Sequence, residues 1–214
     1  MRLPPARATI AIVVVTALAW LSATSAGQDE RVALLAGFIP ARWTSGLAIV
    51  GAVPAWLTPL SATLVHGGLW HVAFNLLMIG FCGRLVEASI GPLCLVVLYV
   101  VGAYAAAGAQ WLIDPASVIP MIGASGAGSA VIAAYALLYS RQTVRNWGPI
   151  PGKLLHVLWL AAAWIGLQAM IGLSSAGLPG VPNGASIGTA AHVGGFLAGL
   201  VLARPLLLFR YRRA

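Results

Sequence analysis

Long apolar runs separated by short polar breaks organise this chain. A helix needs about 20 mostly apolar residues to cross a bilayer. Six segments meet that length: 8–26, 69–88, 92–113, 121–140, 154–173 and 187–208. The pattern predicts an all-α membrane protein, a six-transmembrane-helix bundle. Residues 27–68, between the first two spans, break it. Pro40, Pro54 and Pro59 interrupt this segment, and it carries Asp29, Glu30, Arg31 and Arg42. Yet Leu34, Phe38, Trp43, Leu47 and Trp56 make it too apolar for an ordinary aqueous loop. It reads as a long outer loop with short amphipathic helices lying among the lipid headgroups. The other connections are short and no internal repeat is apparent, so residues 1–214 form one membrane domain.

Composition agrees with this pattern. Of the 214 residues, 60% are hydrophobic and 7% charged, with a mean hydropathy of +0.94. A soluble domain carries about 25% charged residues. Soluble enzymes, nucleic-acid binders and disordered chains are therefore excluded, and the lipid bilayer becomes the expected surroundings. The net charge of +8 bears on orientation. With six spans both termini share a side. That side collects Arg2, Arg7, Arg84, Arg141, Arg145, Lys153, Arg204, Arg210, Arg212 and Arg213, against Arg31 and Arg42 opposite. Ten against two places both termini in the cytoplasm by the positive-inside rule, as in a multi-pass protein of a bacterial inner membrane. Arg2 and Arg7 before an apolar run imitate a signal peptide. The run is long enough to span, and Ala23-Thr-Ser-Ala-Gly27 is a weak cleavage site, so it reads as an uncleaved first helix. Cys82 and Cys94 both lie in apolar runs and read as small buried side chains.

Polar groups inside spans are costly and mark functional candidates. Three clusters stand out. His66-Gly-Gly-Leu-Trp-His71-Val-Ala-Phe-Asn75 opens the second span, with His71 and Asn75 four apart on one helix face. Gly123-Ala-Ser125-Gly126 opens the fourth. Ala191-His192-Val-Gly-Gly195-Phe-Leu-Ala-Gly199 lies in the sixth. Spans two, four and six all enter from the outer side. Asn75, Ser125 and His192 then lie about four to six residues inward, roughly 6–9 Å at 1.5 Å per residue. Packing alone gives no reason for three clusters to share one depth.

Serine becomes a nucleophile when a base takes its proton, and histidine is the usual base. Ser125 and His192 supply that pair. The acids Asp29, Glu30, Glu87 and Asp114 all stand away from this depth, so a dyad is expected rather than a triad. Acyl transfer also needs donors at the developing oxyanion. Asn75 offers its side-chain amide, His71 a ring N–H and Ser125 its backbone N–H. Gly126, Gly195 and Gly199 let helix backbones approach closely in lipid, which His192 needs to reach Ser125. The competing reading of His66 and His71 is a metal site, but no Cys or carboxylate accompanies them at ligand spacing. No metal or cofactor is expected.

These motifs resemble those of the rhomboid intramembrane serine proteases. The family's two His and an Asn in the second span match His66, His71 and Asn75. Its Gly-x-Ser-Gly matches Gly123, Ser125 and Gly126, and its Ala-His-x-x-Gly-x-x-x-Gly matches Ala191, His192, Gly195 and Gly199. The resemblance implies a Ser125–His192 dyad, with Asn75 and His71 at the oxyanion and His66 in a supporting role. It further implies that Glu87 is structural, that residues 27–68 dip partly into the membrane, and that the partners are single-span membrane proteins cleaved near the outer face. A catalytically silent relative that binds transmembrane helices is the alternative, and membership of a branch that trims C-terminal sorting anchors, the rhombosortases, stays open. Two positions depart from the family pattern. Leu57 follows Trp56 where many members have Trp-Arg, so that polar anchor is missing or displaced to Arg42-Trp43. Ser129 stands one turn after Ser125, where many have an aromatic residue. His156, at the start of the fifth span, reads as structural, and the tryptophans near span ends read as interface anchors.

Overall fold

A computed structural model describes residues 5–139, 146–152, 154–159, 162 and 188–212. Helix α1 (Arg7–Ser25) is followed by three short helices, α2 (Asp29–Ala36), α3 (Ala41–Thr44) and α4 (Thr58–Ser61). The longer α5 (Leu69–Ile90), α6 (Pro92–Ile113), α7 (Ser125–Tyr139) and α8 (Thr189–Arg210) come next. Among the described residues there is no β-strand, only isolated bridge pairs such as Phe38 with Met121. Helices α1, α5, α6 and α8 are each long and apolar enough to cross a membrane. Large apolar side chains such as Leu18, Leu77, Phe81 and Val201 lie exposed on them. Apolar surface on this scale faces lipid, and the chain is a multi-pass membrane protein. The expected span 154–173 and the loop 174–186 fall largely outside the described residues.

Two expected boundaries shift. The helix expected over 121–140 starts at Ser125 rather than 121, because residues 121–123 are drawn out of it. Met121 exchanges backbone hydrogen bonds with Phe38, and Gly123 donates its N–H to the Ala62 carbonyl at 2.9 Å. Gly123 has φ +110°, a conformation that favours glycine and ends helical propagation. Ser125 is therefore the first residue of its helix, not the fifth. The helix expected over 187–208 starts at Thr189.

Helix α7 is the centre of the bundle, packed by α5, α6 and α8. Its Ala- and Gly-rich sequence is buried nearly all round, as expected of a helix without a polar face. The small residues set the register. A Cβ on Gly102 of α6 would lie 2.6 Å from the Ala130 Cβ, and one on Gly126 would lie 2.5 Å from the Ala106 Cβ. These pairs make α6 and α7 antiparallel. On the other side a Cβ on Gly195 or Gly199 of α8 would strike the carbonyl oxygens of Gly126 and Ala130, so α7 and α8 run parallel at near backbone contact.

Helix α1 is held at its N-terminus by α5. Glu87, buried, accepts hydrogen bonds from the backbone N–H groups of Ala8 (3.0 Å) and Thr9 (2.8 Å) and from the Thr9 hydroxyl (2.7 Å). The first turn of a helix has N–H groups without intrahelical acceptors, and its dipole favours an anion. A carboxylate from another helix answers both, which gives Glu87 a structural use.

Residues 27–68 carry their own polar ties. Arg42 Nη2 donates to the Val53 carbonyl and Trp43 Nε1 to the Ala55 carbonyl, both at 2.9 Å. Trp43 also packs edge-on against Phe38 at 4.9 Å between ring centres. Arg42 and Trp43 thus tie this segment to itself through side-chain hydrogen bonds.

Candidate active site

The nucleophile candidate sits where a turn becomes a helix. The first intrahelical bond of α7 runs from the Gly128 N–H to the Ala124 carbonyl at 2.7 Å. The N–H groups of Ser125, Gly126 and Ala127 therefore have no acceptor within the helix. They gather positive potential beside the Ser125 side chain, where the helix dipole has its positive end.

Helix α8 brings the histidine. His192 stands one turn before Gly195, and the close α7–α8 seam at Gly195 and Gly126 sets its height. His192 Nε2 lies 2.8 Å from Ser125 Oγ, a full hydrogen-bond contact across two helices. Both residues are buried. With Nε2 unprotonated, the hydroxyl proton points at the ring nitrogen, which is the geometry of base-assisted attack.

Helix α5 brings Asn75 and His71. It runs parallel to α7: a Cβ on Gly123 would lie 2.7 Å from His71 Nε2, and one on Gly128 would lie 3.4 Å from the Ile79 Cγ1. Asn75, one turn after His71 and one before Ile79, is thereby level with the start of α7. It is 1% exposed. One of its amide hydrogens goes to the His71 carbonyl at 2.8 Å, and an amide NH₂ has a second to give. His71 Nδ1 accepts the Gly67 N–H at 3.4 Å, which leaves the ring hydrogen on Nε2, the atom against Gly123. Glycine is required at 123 twice over, for its positive φ and for the room it leaves to His71.

His66 meets the turn that precedes Ser125. Its Nε2 accepts the N–H of Ala124 at 3.3 Å, so it holds the residue that precedes Ser125. Burial lowers its pKa to about 3, and the ring stays neutral and able to accept. His66 and His71 meet edge to face at 4.9 Å between ring centres. One nitrogen of each ring is engaged by a backbone N–H rather than turned toward a shared point. Ser129, fully buried, donates its hydroxyl to the Ser125 carbonyl at 2.8 Å.

Glu87 lies away from this group, at the α1 N-terminus. Gly126, Gly195 and Gly199 lie in the seam that brings His192 to Ser125. Sequence reasoning overlooked two contributors. Gly194 faces α6, where a Cβ would lie 2.6 Å from the Ala105 carbonyl; the Gly194-Gly195 doublet was the available signal. The Ala62 carbonyl, which holds Gly123, carries no sequence signal because any residue has a carbonyl.

The chain is similar to known proteins over most of its length. A Rhomboid domain family model matches residues 54–209. The chain is 31% identical over 176 residues to Rhomboid-like protein 11, chloroplastic, of Arabidopsis thaliana, covering 80% of this chain and 60% of that protein. It is 29% identical over 149 residues to RHOMBOID-like protein 5 of Arabidopsis thaliana, covering 70% and 43%. It is 31% identical over 146 residues to Rhomboid protease GlpG of Serratia proteamaculans (strain 568), covering 67% and 46%. The chain thus spans about half the length of these relatives.

Proposed function

The chain belongs to the rhomboid family, and from that premise we propose that it is an intramembrane serine endopeptidase using a Ser125–His192 dyad. The observation that carries this reading is the 2.8 Å contact between His192 Nε2 and Ser125 Oγ. One relative bears the name of a rhomboid protease, which supports it. In this reading residues 1–214 form one domain of six spans, with both termini cytoplasmic in a bacterial inner membrane and the dyad near the outer face. The substrates are single-span membrane proteins.

The chemistry follows from the residues. His192 Nε2 takes the Ser125 hydroxyl proton as Oγ attacks the scissile carbonyl. The developing oxyanion is met by the Asn75 amide, the His71 Nε2–H and the Ser125 N–H. His192 then returns its proton to the leaving amine, which departs and leaves an ester on Ser125. Water hydrolyses that ester by the same steps. His66, holding Ala124, fixes the turn that aims Ser125.

The test uses purified protein and a model single-span substrate in liposomes. The wild type is expected to cut it and to be labelled at Ser125 by a serine-directed phosphonate, whereas Ser125→Ala does neither. A wild type that binds the substrate helix but neither cuts nor labels would replace this reading with the silent, helix-binding one.

A further inference from the structure

We infer that a groove along α5 binds an anionic phospholipid, with the lipid phosphate on Arg84 and one acyl chain laid along Gly80. Arg84 has no part in the chemistry described above, and its position in the helix calls for a partner. It lies six residues before the end of α5 (Leu69–Ile90), about 9 Å at 1.5 Å per residue. Its side chain is exposed beside the exposed, apolar Leu77 and Phe81. A charge inside a span is costly unless it is paired. Glu87 stands one turn further on, but both its oxygens are bonded to the start of α1. Arg84 has no hydrogen bond or ion pair among the described residues. Its counter-charge must come from outside the chain.

The groove that ends at Arg84 has a volume of about 470 Å³ and is lined by Leu76, Leu77, Gly80, Phe81, Arg84 and Leu85. This spacing puts all six along one side of α5. Gly80 opens it: a Cβ there would meet only Val13 Cγ2, at 4.0 Å, so this glycine leaves space instead of serving a tight helix contact. Leu77 and Phe81 remain 63% and 57% exposed. The wall toward α7 is fixed. Phe81 packs edge-on against Tyr135 at 5.8 Å, and Tyr135 stacks on Tyr139 at 5.5 Å between ring centres. The Tyr139 hydroxyl donates to the Leu85 carbonyl at 2.6 Å. A groove already formed loses little freedom when it is filled.

Length and charge name the occupant. Leu76 to Leu85 rise about 14 Å, close to half of a hydrocarbon core about 30 Å thick. That is the depth of one leaflet, which suits a lipid chain; a spanning protein helix would need a groove along the whole of α5. The arginine stands at the end nearer the helix terminus, where a headgroup lies, and its planar fork matches phosphate oxygens. The same end of the bundle carries Arg7, exposed at the start of α1, and Arg210, whose Nε would lie 3.2 Å from a Cβ on Gly91. With Glu87 given over to α1, this end is basic and favours a net-negative headgroup. In the orientation proposed above it faces the inner leaflet.

The test titrates the purified full-length protein in detergent with phosphatidylglycerol and, separately, with phosphatidylcholine. Native mass spectrometry counts bound lipid, and thermal unfolding is followed in parallel. Phosphatidylglycerol carrying a photoreactive acyl chain then marks the site, which peptide mapping locates. Wild type is expected to bind phosphatidylglycerol more tightly than phosphatidylcholine, to melt at a higher temperature with it, and to be cross-linked within residues 76–85. Arg84→Gln should weaken phosphatidylglycerol binding about fivefold or more and leave phosphatidylcholine binding unchanged. Gly80→Leu should reduce cross-linking by filling the groove. Arg204→Gln, which removes an exposed charge from α8, should match wild type. Wild-type affinity for phosphatidylglycerol in Arg84→Gln overturns the proposal, and so do cross-links confined to other residues. An equal loss in Arg204→Gln would reduce the effect to diffuse attraction by a basic surface. Displacement of the bound lipid by a single-span peptide would give the groove to a protein helix instead. If Gly80→Leu does not fold, Arg84→Gln and the cross-linked position decide.

Discussion

Gly195 of α8 lies so close to Gly126 of α7 that a Cβ on it would strike the Gly126 carbonyl oxygen. Gly126 follows Ser125, and Gly195 is one turn from His192. The helix contact and the Ser125–His192 hydrogen bond are therefore one geometric event. Gly195→Ala should push α8 outward, at an overpacking cost of about 1–3 kcal/mol. Gly188→Ala, whose Cβ would make an ordinary 3.5 Å contact with Ala191, should be tolerated. Phosphonate labelling at Ser125 in folded protein is the measurement, and a Gly195→Ala that labels and cleaves as wild type would separate the seam from the dyad.

For the dyad, Ser125→Ala and His192→Ala are each expected to abolish cleavage while the protein still inserts and folds. The double variant should be no worse than either single one, because the pair acts as a unit. Cleavage by Ser125→Ala in liposomes would exclude this nucleophile, and Ser129, one turn further along α7, would be tested next.

Asn75→Ala removes a donor used mainly when charge develops on the substrate oxygen. Turnover should fall by about 10²–10³-fold with little change in KM. The purely structural alternative is a helix-to-helix hydrogen bond worth about 0.6–2 kcal/mol. Normal kcat with a lowered melting temperature would select that alternative and remove Asn75 from the oxyanion site.

Glu87→Ala leaves the Ala8 and Thr9 N–H groups and the Thr9 hydroxyl without their acceptor. A destabilisation of about 1.5–3 kcal/mol follows from losing hydrogen bonds to a charged group. Because Glu87 is bonded to α1 and not to the dyad, the folded fraction should retain its kcat. Thermal unfolding and turnover measured on one preparation check this, and loss of kcat in fully folded protein would contradict it.

Chelation is expected to have no effect on cleavage. His66 Nε2 and His71 Nδ1 each accept a backbone N–H, which occupies lone pairs that a shared metal would need. Activity lost with EDTA and restored by Zn²⁺ would overturn the dyad reading.

The apolar run lengths determined by themselves that the chain is helical and lies in a membrane, and the motif spacings singled out Ser125, His192, Asn75, His71 and His66. Those features are local: hydropathy sums over a segment, and helical period relates residues three or four apart. Tertiary structure decided the rest. The apolar run from 121 to 140 gives no sign that its first residues leave the helix, because the cause is their pairing with Phe38 and Ala62, far away in the chain. The partners of Glu87 stay hidden until α1 folds back and puts its first-turn N–H groups against the carboxylate. Distances such as 2.8 Å between Ser125 and His192 depend on how closely two backbones approach. That approach is set where glycines of one helix meet carbonyls of another, a pairing that only the packed bundle specifies.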